Sequence, residues 1–387
     1  SEHRVNPFCP MQKVCGACQL QFIDYDYQLE LKRQIVEDTM KNIGNLDKEI
    51  PKPISSPQIK NYRHKIQYPI SETKNSKRIL AGYYKPATHE IVNIKYCPIQ
   101  PEICDKIIEF IREKAFDFGI SGYNEKKHSG DLRHVVIRSS LATGKNLVVL
   151  VINATKSFER LNDFAKCIFD EFYEVAGVCV NFNSKKTNVI LGKKTECLAG
   201  KNFVKERILD KTFRIGPNTF FQINPQSAEN IFRYVKDYIK DNFENPTVLD
   251  AYAGITSFGI CISDICKKVV SVEENKESVE LARETAEINN IPNLEIHNQD
   301  ASVFFQKEKR KFDAIILDPP RKGCTKESLD NAVRLSKSII YVSCNPATLA
   351  RDLKYLKEEK NCTVKSIQPF DMFCHTYHIE NVAIIEN

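Results

Sequence analysis

The sequence predicts an α/β protein, in which a Rossmann-like domain with a parallel sheet follows an α+β domain. After Pro246, short apolar segments alternate with segments of helical period, the pattern of a parallel sheet covered by helices on both faces. Before residue 210, strand-like segments follow one another across short turns, as in a mainly antiparallel sheet. A chain of 387 residues is also long for a single core. We therefore predict two domains, 1–210 and 211–387.

The first domain begins with a cysteine-rich segment and a helix. Apolar positions at helical spacing in YDYQLELKRQIVEDTMKNIG predict an amphipathic helix that ends near Gly44. Three prolines between residues 51 and 57 then predict a linker. Further along, RHVVIRSS and NLVVLVIN predict one strand pair, and GVCVNFN with TNVILG predicts another.

The second domain alternates strands and helices in regular order. The predicted strands are TVLDAY, KVVSVEE, LEIHNQD, FDAIILDPP and SIIYVSCN, and TVKSIQPFDM and HIENVAIIE are predicted to extend the sheet at its edge. Ligands bind outside the carboxyl ends of the strands in open parallel sheets. The residues that follow each strand are therefore the candidate site.

The composition is that of a soluble globular protein, with 42% hydrophobic and 27% charged residues. No apolar run reaches the roughly 18 residues that a membrane-spanning helix needs. The segment SEHRVNPFCP lacks the apolar core of a secretory signal. We therefore expect a cytoplasmic protein with no membrane partner, and no protein partner is inferred.

Positive charge is concentrated in the first domain. Residues 1–210 carry 33 Lys and Arg against 25 Asp and Glu, whereas residues 211–387 carry 23 against 25. Such asymmetry predicts that the first domain meets a polyanion. The strongest excess lies in residues 60–95, with eight basic and two acidic side chains. Four tyrosines are interleaved there: Tyr62, Tyr68, Tyr83 and Tyr84. Phosphate contacts with stacking rings suit looped RNA, and a solvated basic face is the alternative.

Two acidic positions after the first strands of the second domain indicate a nucleoside ligand. The turn from Asp250 to Gly254 opens a helix, and a glycine there lets a ligand approach the backbone. Glu273 follows about twenty residues later, where a carboxylate can accept hydrogen bonds from ribose hydroxyls. Because the GxGxxG fingerprint of dinucleotides is missing, S-adenosylmethionine fits better than NAD.

Two later strands end in residues suited to chemistry. Asp318 precedes two prolines, which make a stiff acidic turn that could hold a substrate amide or a cofactor amine. Cys344 precedes Asn-Pro near the start of a helix, a position that predicts a lowered thiol pKa and a nucleophile. A buried, inert thiol is the alternative. Glu380 supplies a further carboxylate after DMFCHTYHI.

These segments together resemble a known enzyme family. The segments are FFQINPQSAE (220–229), LDAYAG (249–254), LDPPRKG (317–323), YVSCNPATLARDL (341–353) and DMFCHTYHIE (371–380). They are similar to the RNA uracil-C5 methyltransferases, which methylate uridine in 23S ribosomal RNA or in the T-loop of transfer RNA. The resemblance implies a class I Rossmann-like methyltransferase domain, with 23S ribosomal RNA favoured as the substrate.

The resemblance also implies roles for individual residues. Cys344 would add to C6 of uracil, C5 would then take the methyl group of S-adenosylmethionine, and Glu380 would remove the C5 proton. Because the base must reach the thiol, it must be flipped out of its stack. The cofactor-binding positions implied by the family pattern are Gln222, Tyr252, Glu273 and Asp318, with Asp300 a further candidate.

The cysteines at the start of the chain form a candidate metal site. Cys9, Cys15 and Cys18 lie close in sequence, and Cys97 would complete a set of four. Four thiolates can bind either zinc or an iron–sulfur cluster, and the spacing does not separate the two. The family resemblance implies a [4Fe–4S] cluster in an iron–sulfur and RNA-docking domain.

Departures from the family pattern leave a second class of function open. The usual GxGT turn reads Gly254-Ile-Thr-Ser257, and a usual proline before His-Thr is Cys374, which predicts a less rigid loop before Glu380. A catalytically silent RNA-binding factor with the same fold is therefore the alternative. A zinc-bearing cytosine methyltransferase is disfavoured because its usual Pro-Cys context is missing around Cys344.

Overall fold

A computed structural model describes residues 2–387, which form two large sheets and a short hairpin. Within these residues the α-helices are α1 (Tyr25–Asn42), α2 (Glu102–Lys114), α3 (Glu159–Glu171), α4 (Pro225–Asn242), α5 (Ser257–Ile262), α6 (Lys276–Ile288), α7 (Ala301–Lys307), α8 (Lys326–Leu335) and α9 (Pro346–Lys360). The strands are β1 (Lys65–Glu72), β2 (Ile79–Ala81), β3 (Leu132–Ser139), β4 (Asn146–Ile152), β5 (Val175–Phe182), β6 (Lys194–Gly200), β7 (Val204–Ile208), β8 (Lys211–Ile215), β9 (Thr247–Ala251), β10 (Lys268–Glu273), β11 (Leu294–Asn298), β12 (Ala314–Leu317), β13 (Ser338–Ser343), β14 (Thr363–Phe370) and β15 (Glu380–Glu386). None of the helices in this described part is long and apolar enough to cross a membrane.

The first sheet has the strand order β2-β1-β3-β4-β5-β6 and is mainly antiparallel, as predicted. β4 and β5 are parallel neighbours because α3 connects them as a crossover. Ile107 of α2 and Phe164 of α3 are buried in the same core as Val148 of β4. These two helices therefore cover one face of the sheet. The predicted pair RHVVIRSS and NLVVLVIN is confirmed as β3 and β4.

The second predicted pair of the first domain is wrong. GVCVNFN forms β5, but its partner is β6, which begins at Lys194 after the TNVILG segment. In the described chain, residues 187–192 form no strand. The amide Nδ2 of Asn183 donates to the carbonyl oxygens of Val189 and Ile190, at 2.6 and 2.9 Å. These side-chain bonds occupy carbonyls that a strand ladder would use, which an apolar pattern cannot reveal.

The second sheet has the order β11-β10-β9-β12-β13-β15-β14. Its first five strands are parallel, and β15 lies antiparallel between β13 and β14. The predicted Rossmann-like sheet and its two additional edge strands are thus confirmed. The chain turns back in strand order between β9 and β12, so a ligand crevice is expected at the carboxyl ends of these strands.

Both faces of the second sheet are covered, and the first domain contributes to each face. On one face, Val149 of β4 shares a core with Ile231 of α4 and Ile340 of β13. On the other face, Val36 of α1 shares a core with Leu353 of α9. The division at residue 210 stays a prediction, but the segments on its two sides share buried apolar surface.

Candidate active site

A cavity of about 750 Å³ opens at the carboxyl ends of β9, β10, β12 and β13. It is lined by every residue that the sequence analysis assigned to catalysis or cofactor binding: Gln222, Tyr252, Glu273, Asp300, Asp318, Cys344 and Glu380. Residues separated by up to 158 positions therefore meet in one place because parallel strands end at the same edge of a sheet.

The loop after β9 forms one wall of this cavity. Tyr252, Gly254 and Thr256 all have left-handed backbone angles, with φ of 61°, 56° and 60°. Glycine adopts this conformation freely, whereas a β-branched residue does so only with strain. Thr256, which replaces the usual second glycine, thus holds a conformation that glycine adopts without strain. The loop is tied to α5 by Asp250, whose Oδ2 accepts a hydrogen bond from the Gly259 amide at 2.9 Å.

Glu273 ends β10 and is fixed by two backbone amides. Its Oε2 accepts from the Gly254 amide and its Oε1 from the Asn275 amide, each at 2.8 Å. Each carboxylate oxygen still has a lone pair for a ribose hydroxyl. Asp300 is used differently, because its Oδ1 caps α7 by accepting from the amides of Ser302 and Val303, at 2.9 and 3.1 Å.

Asp318 follows β12 in a turn that α9 holds in place. Burial raises the pKa of its carboxyl to about 7. Beyond the two prolines, the Arg321 carbonyl accepts hydrogen bonds from Asn345 Nδ2 at 3.1 Å and from Thr348 Oγ1 at 3.2 Å. Arg351 donates to the Lys322 carbonyl at 3.0 Å. The polar residues of the SCNPATLAR segment therefore fix the wall of the cavity that carries Asp318.

Cys344 and Glu380 come together through strand register. β13 and β15 are antiparallel neighbours in which Ser343 pairs with Asn381. Cys344 follows Ser343 and Glu380 precedes Asn381, so the two side chains lie at the same end of this pair. Glu380 is only 3% exposed, and its burial, together with the nearby Asp318, raises its pKa well above the usual value.

The predicted lowering of the Cys344 pKa is wrong. Burial and the Glu380 carboxylate raise the thiol pKa to about 11, and the Arg321 cation opposes this rise only in part. The start of α9 nearby does not reverse this, since desolvation disfavours the thiolate more strongly. The free enzyme therefore keeps this cysteine protonated at neutral pH.

The loop between β14 and β15 (residues 371–379) is anchored to the first domain. Lys32 is fully buried, and its Nζ donates to Asp371 Oδ1 at 2.6 Å. The Tyr62 hydroxyl donates to the Cys374 carbonyl at 2.8 Å. Cys374, expected to loosen the loop, is itself fully buried. The structure thus shows a tightly held loop instead of a loose one.

Several further residues line the cavity without having been assigned a role from the sequence: Asn218, Phe220, Lys322, Phe373 and His378. His378 lies beside Arg321, with 3.4 Å between Nδ1 and Nη2. Each of these residues lies within or next to one of the family-like segments. Proximity to those segments was therefore the signal that could have found them.

The four cysteines predicted to bind metal line one small cavity of about 20 Å³: Cys9, Cys15, Cys18 and Cys97. Burial raises the pKa of the Cys18 and Cys97 thiols to about 12, and charge repulsion between neighbouring thiolates adds to this rise. The four thiols fit a thiolate-bound group in their chemistry. Among the described residues, however, no group of three or more Cys, His, Asp or Glu side chains is arranged to hold a metal ion. The iron–sulfur cluster is therefore not supported by this arrangement.

The stacking role predicted for the tyrosines of residues 60–95 is wrong for two of them. Tyr62 and Tyr68 are 1% and 0% exposed and belong to the core of the first sheet. Tyr83 packs edge-on against Tyr68, with 4.8 Å between ring centroids. Tyr84 is half-buried and stacks on His89 at 5.2 Å. Strand alternation turns the Tyr68 ring of β1 inward, and sequence composition alone does not reveal this.

A solved structure of known activity is similar to this chain over most of its length. The Pyrococcus abyssi tRNA (uracil-54, C5)-methyltransferase in complex with S-adenosyl-L-homocysteine matches 96% of this chain and 86% of its own, with a TM-score of 0.77 and 30% sequence identity. The Rossmann-like sheet and the acidic cavity at its carboxyl edge agree with this likeness. They define the class of protein as an S-adenosylmethionine-dependent methyltransferase.

Sequence comparisons narrow this class to one family. The family model described as tRNA (uracil-5-)-methyltransferase matches residues 140–387. Uncharacterized RNA methyltransferases of Oceanobacillus iheyensis and Clostridium tetani are 38% and 37% identical over 99% and 100% of this chain, and over 83% and 84% of their own lengths. The chain belongs to the tRNA (uracil-5-)-methyltransferase family, which confirms the resemblance seen in the sequence. It is an S-adenosylmethionine-dependent RNA uracil-C5 methyltransferase.

Proposed function

We propose that this protein methylates C5 of a uridine in 23S ribosomal RNA, in the cytoplasm, through a covalent cysteine adduct. The observation that carries the proposal is the meeting of Cys344 and Glu380 in one cavity with the carboxylates of Glu273 and Asp318. A uridine in the T-loop of transfer RNA is the second candidate, and the likeness to the Pyrococcus abyssi tRNA enzyme favours it.

The chemistry requires a nucleophile and a proton acceptor that both act on the same uracil ring. The Cys344 thiol loses its proton to solvent, and the thiolate sulfur then forms a bond to C6 of uracil. The electrons of the C5–C6 double bond move to give an enolate with a nucleophilic C5. S-adenosylmethionine supplies an electrophilic methyl group when bound, and C5 takes that group while the sulfonium becomes a neutral thioether. The Glu380 carboxylate then removes the C5 proton, and the electron pair of that C–H bond expels the Cys344 thiolate.

The electrostatics of the cavity suit both the removal of the C5 proton and the addition of the cysteine. Burial raises the pKa of Glu380, which makes its carboxylate a stronger base for the C5 proton. The raised pKa of Cys344 makes its thiolate a strong nucleophile once formed. Arg321 is the cation that favours this thiolate.

Four residues are proposed to hold the methyl donor. Glu273 would accept hydrogen bonds from the ribose hydroxyls, and Tyr252 would contact the ligand beside the left-handed loop. Asp318 and Gln222 line the same cavity as Cys344 and would hold the methionine end of the donor. Glu273→Gln should weaken S-adenosylmethionine binding in calorimetry at least tenfold, whereas Asp300→Asn should mainly destabilise α7.

The substrate assignment is tested by methyl transfer from labelled S-adenosylmethionine to total RNA of a methylation-deficient host, followed by mapping of 5-methyluridine. Label in 23S RNA would support the proposal. Label in transfer RNA would support the same reaction but would show that transfer RNA is the substrate. If a folded sample labels neither RNA, the catalytically silent RNA-binding function becomes the better explanation.

The catalytic roles are tested by two variants. Cys344→Ala should abolish both turnover and the covalent protein–RNA adduct. Glu380→Gln should still form the adduct but accumulate it, because the C5 proton stays in place. Methylation retained by Cys344→Ala, or normal turnover by Glu380→Gln, would remove the corresponding assignment.

RNA docking is proposed for the basic face beside the cavity. Lys65 of β1 pairs in register with Arg138 of β3, and Arg138 donates to the carbonyls of Pro217 and Thr219, close to the cavity residue Phe220. Burial and the neighbouring Arg138 and Arg63 cations lower the pKa of Lys65 to about 7. A phosphate bound there would restore the charge of Lys65. Lys65→Met should therefore weaken RNA binding and leave S-adenosylmethionine binding unchanged.

A [4Fe–4S] cluster is proposed for the four cysteines that line the small cavity, with zinc as the alternative. Four thiols that line one small cavity are the donor set that either group requires. If the cluster is present, protein purified without air should be brown, with an absorbance band at about 400 nm and four irons per chain. A colourless protein with one zinc per chain would show that the four cysteines bind zinc instead.

A further inference from the structure

Two cysteines outside the active site lie directly opposite each other in the first sheet. Cys179 of β5 and Cys197 of β6 are register partners in an antiparallel pair. A β-bulge separates this pair from the neighbouring pair of Val178 and Ala199. Directly opposed residues of an antiparallel pair have Cα atoms about 4.5–5.5 Å apart with side chains on the same face. That separation falls in the range from which a disulfide forms. Both thiols are free, and Cys197 Sγ donates to the carbonyls of Ala199 and Gly200, at 3.4 and 3.5 Å.

The two thiols differ in access and in acidity. β6 is the edge strand of the sheet, and Cys197 is exposed there, whereas Cys179 is fully buried. The neighbouring Cys179 thiol lowers the pKa of Cys197 to about 7. An accessible thiol with such a pKa is largely thiolate near neutral pH, which is the reactive form. Cys197 is thus the attacking group and Cys179 the resolving group behind it.

We propose that Cys197 and Cys179 form a thiol–disulfide exchange site that reacts with small-molecule disulfides such as oxidised glutathione. The Cys197 thiolate attacks one sulfur of the small disulfide, its S–S bond breaks, and one small thiolate leaves. Cys179 then loses its proton to solvent and attacks the Cys197 sulfur, which releases the second small thiolate. The two cysteines have together lost two electrons, and the small disulfide has been reduced to two thiols.

The resulting cross-link would act next to the methyltransferase cavity. Thr195 lies two residues before Cys197 on the same face of β6, and its hydroxyl donates to Asn218 Oδ1 at 3.1 Å. Asn218 lines the cavity, and its Nδ2 donates to Glu277 at 2.8 Å. The disulfide would fix the edge strand that carries this contact. The exchange itself does not depend on the proposed uridine chemistry.

The test is peptide mapping after reaction of the full-length protein with oxidised glutathione. Several lysines separate the two cysteines, so trypsin places them in different peptides and a cross-link joins these peptides. We expect the Cys179–Cys197 linked peptide after oxidation and its loss after dithiothreitol. Cys179→Ala should instead trap glutathione on Cys197. Cys197→Ser, a change at an exposed position, should give neither the linked peptide nor the glutathione adduct.

Two controls keep the outcome specific. Cys167→Ser removes a partly exposed thiol whose pKa burial raises, and it should leave the linked peptide unchanged. Hydrogen exchange in residues 194–200 should be slower in the oxidised than in the reduced protein. Recovery of Cys197 as a free thiol, or as a stable glutathione adduct while Cys179 is intact, would overturn the proposal.

Discussion

Thr256 holds a backbone conformation that its side chain disfavours. Its φ of 60° belongs to the left-handed region, and within the described chain its buried hydroxyl has no hydrogen-bond partner. We expect Thr256→Gly to raise the free energy of unfolding by about 1 kcal/mol. The relief of roughly 1–3 kcal/mol of strain, together with the removal of the unpaired hydroxyl, exceeds the lost methyl group and the extra entropy of glycine. Urea unfolding measures this difference.

Thr256→Ala is the matched control because it removes the hydroxyl and the methyl group but keeps the strained backbone. It should not share the stabilisation of the glycine variant. A lower stability of Thr256→Gly than of the parent would mean that the hydroxyl is satisfied in solution.

At the same scale, the reactivity of Cys344 in the free enzyme should depend steeply on pH. Its thiol pKa is raised to about 11. Between pH 7 and pH 10 the thiolate fraction, and with it the rate of alkylation, should therefore rise about tenfold per pH unit. Mass spectrometry of the Cys344 peptide after iodoacetamide treatment measures this rate.

Cys197 provides an internal control in the same samples, because its lower pKa of about 7 predicts a rate that levels off above neutral pH. Glu380→Gln should increase the rate at Cys344, since the carboxylate raises that pKa. A rate at Cys344 that levels off near pH 8 would contradict the raised pKa.

At the scale of elements, the segment before β15 depends on a buried ion pair with α1. Lys32 and Asp371 are 0% and 1% exposed, and the Tyr25 hydroxyl also donates to Asp371 at 2.8 Å. Lys32→Met would leave the Asp371 carboxylate buried without its cation. We expect a loss of about 3–5 kcal/mol in the free energy of unfolding, measured by urea denaturation.

The exposed pair of Lys52 and Asp26 is the matched comparison, with side chains 53% and 86% exposed. Lys52→Met should change stability by less than about 1 kcal/mol. In the double variant Lys32→Met with Asp371→Asn, much of the loss should be recovered. Equal changes in the free energy of unfolding for Lys32→Met and Lys52→Met would show that the buried pair contributes no more to stability than the exposed pair.

At the scale of the whole molecule, the two parts of the chain depend on each other for their cores. The second sheet is covered on one face by Val149 of the first sheet and on the other by Val36 and Met40 of α1. A fragment of residues 211–387 alone would expose both surfaces to water. We expect this fragment to bind a hydrophobic dye and to unfold without a sharp transition in circular dichroism.

The full-length chain should unfold cooperatively under the same conditions. A sharp transition of the fragment, without dye binding, would instead show that the predicted division at residue 210 separates independently folding domains.

The sequence by itself determined the alternation of strands and helices in the second sheet, and the family to which the chain belongs. Both are written in local patterns: apolar periodicity, and short segments such as LDPPRKG and SCNPATLARDL. The rule that ligands bind at the carboxyl ends of parallel strands also predicts Glu273, Asp318 and Cys344 at one edge of the sheet.

Only the tertiary structure decided features that depend on burial and on distant partners. The pKa of Cys344 is raised because the fold buries the thiol beside Glu380, and position near a helix start could not reveal this. Tyr62 and Tyr68 lie in the core. The segment TNVILG does not pair with β5, because Asn183 binds its carbonyl oxygens, and β6 pairs with β5 instead. Periodicity reports which side chains share a face, whereas the surroundings of that face are set by residues far away in the chain.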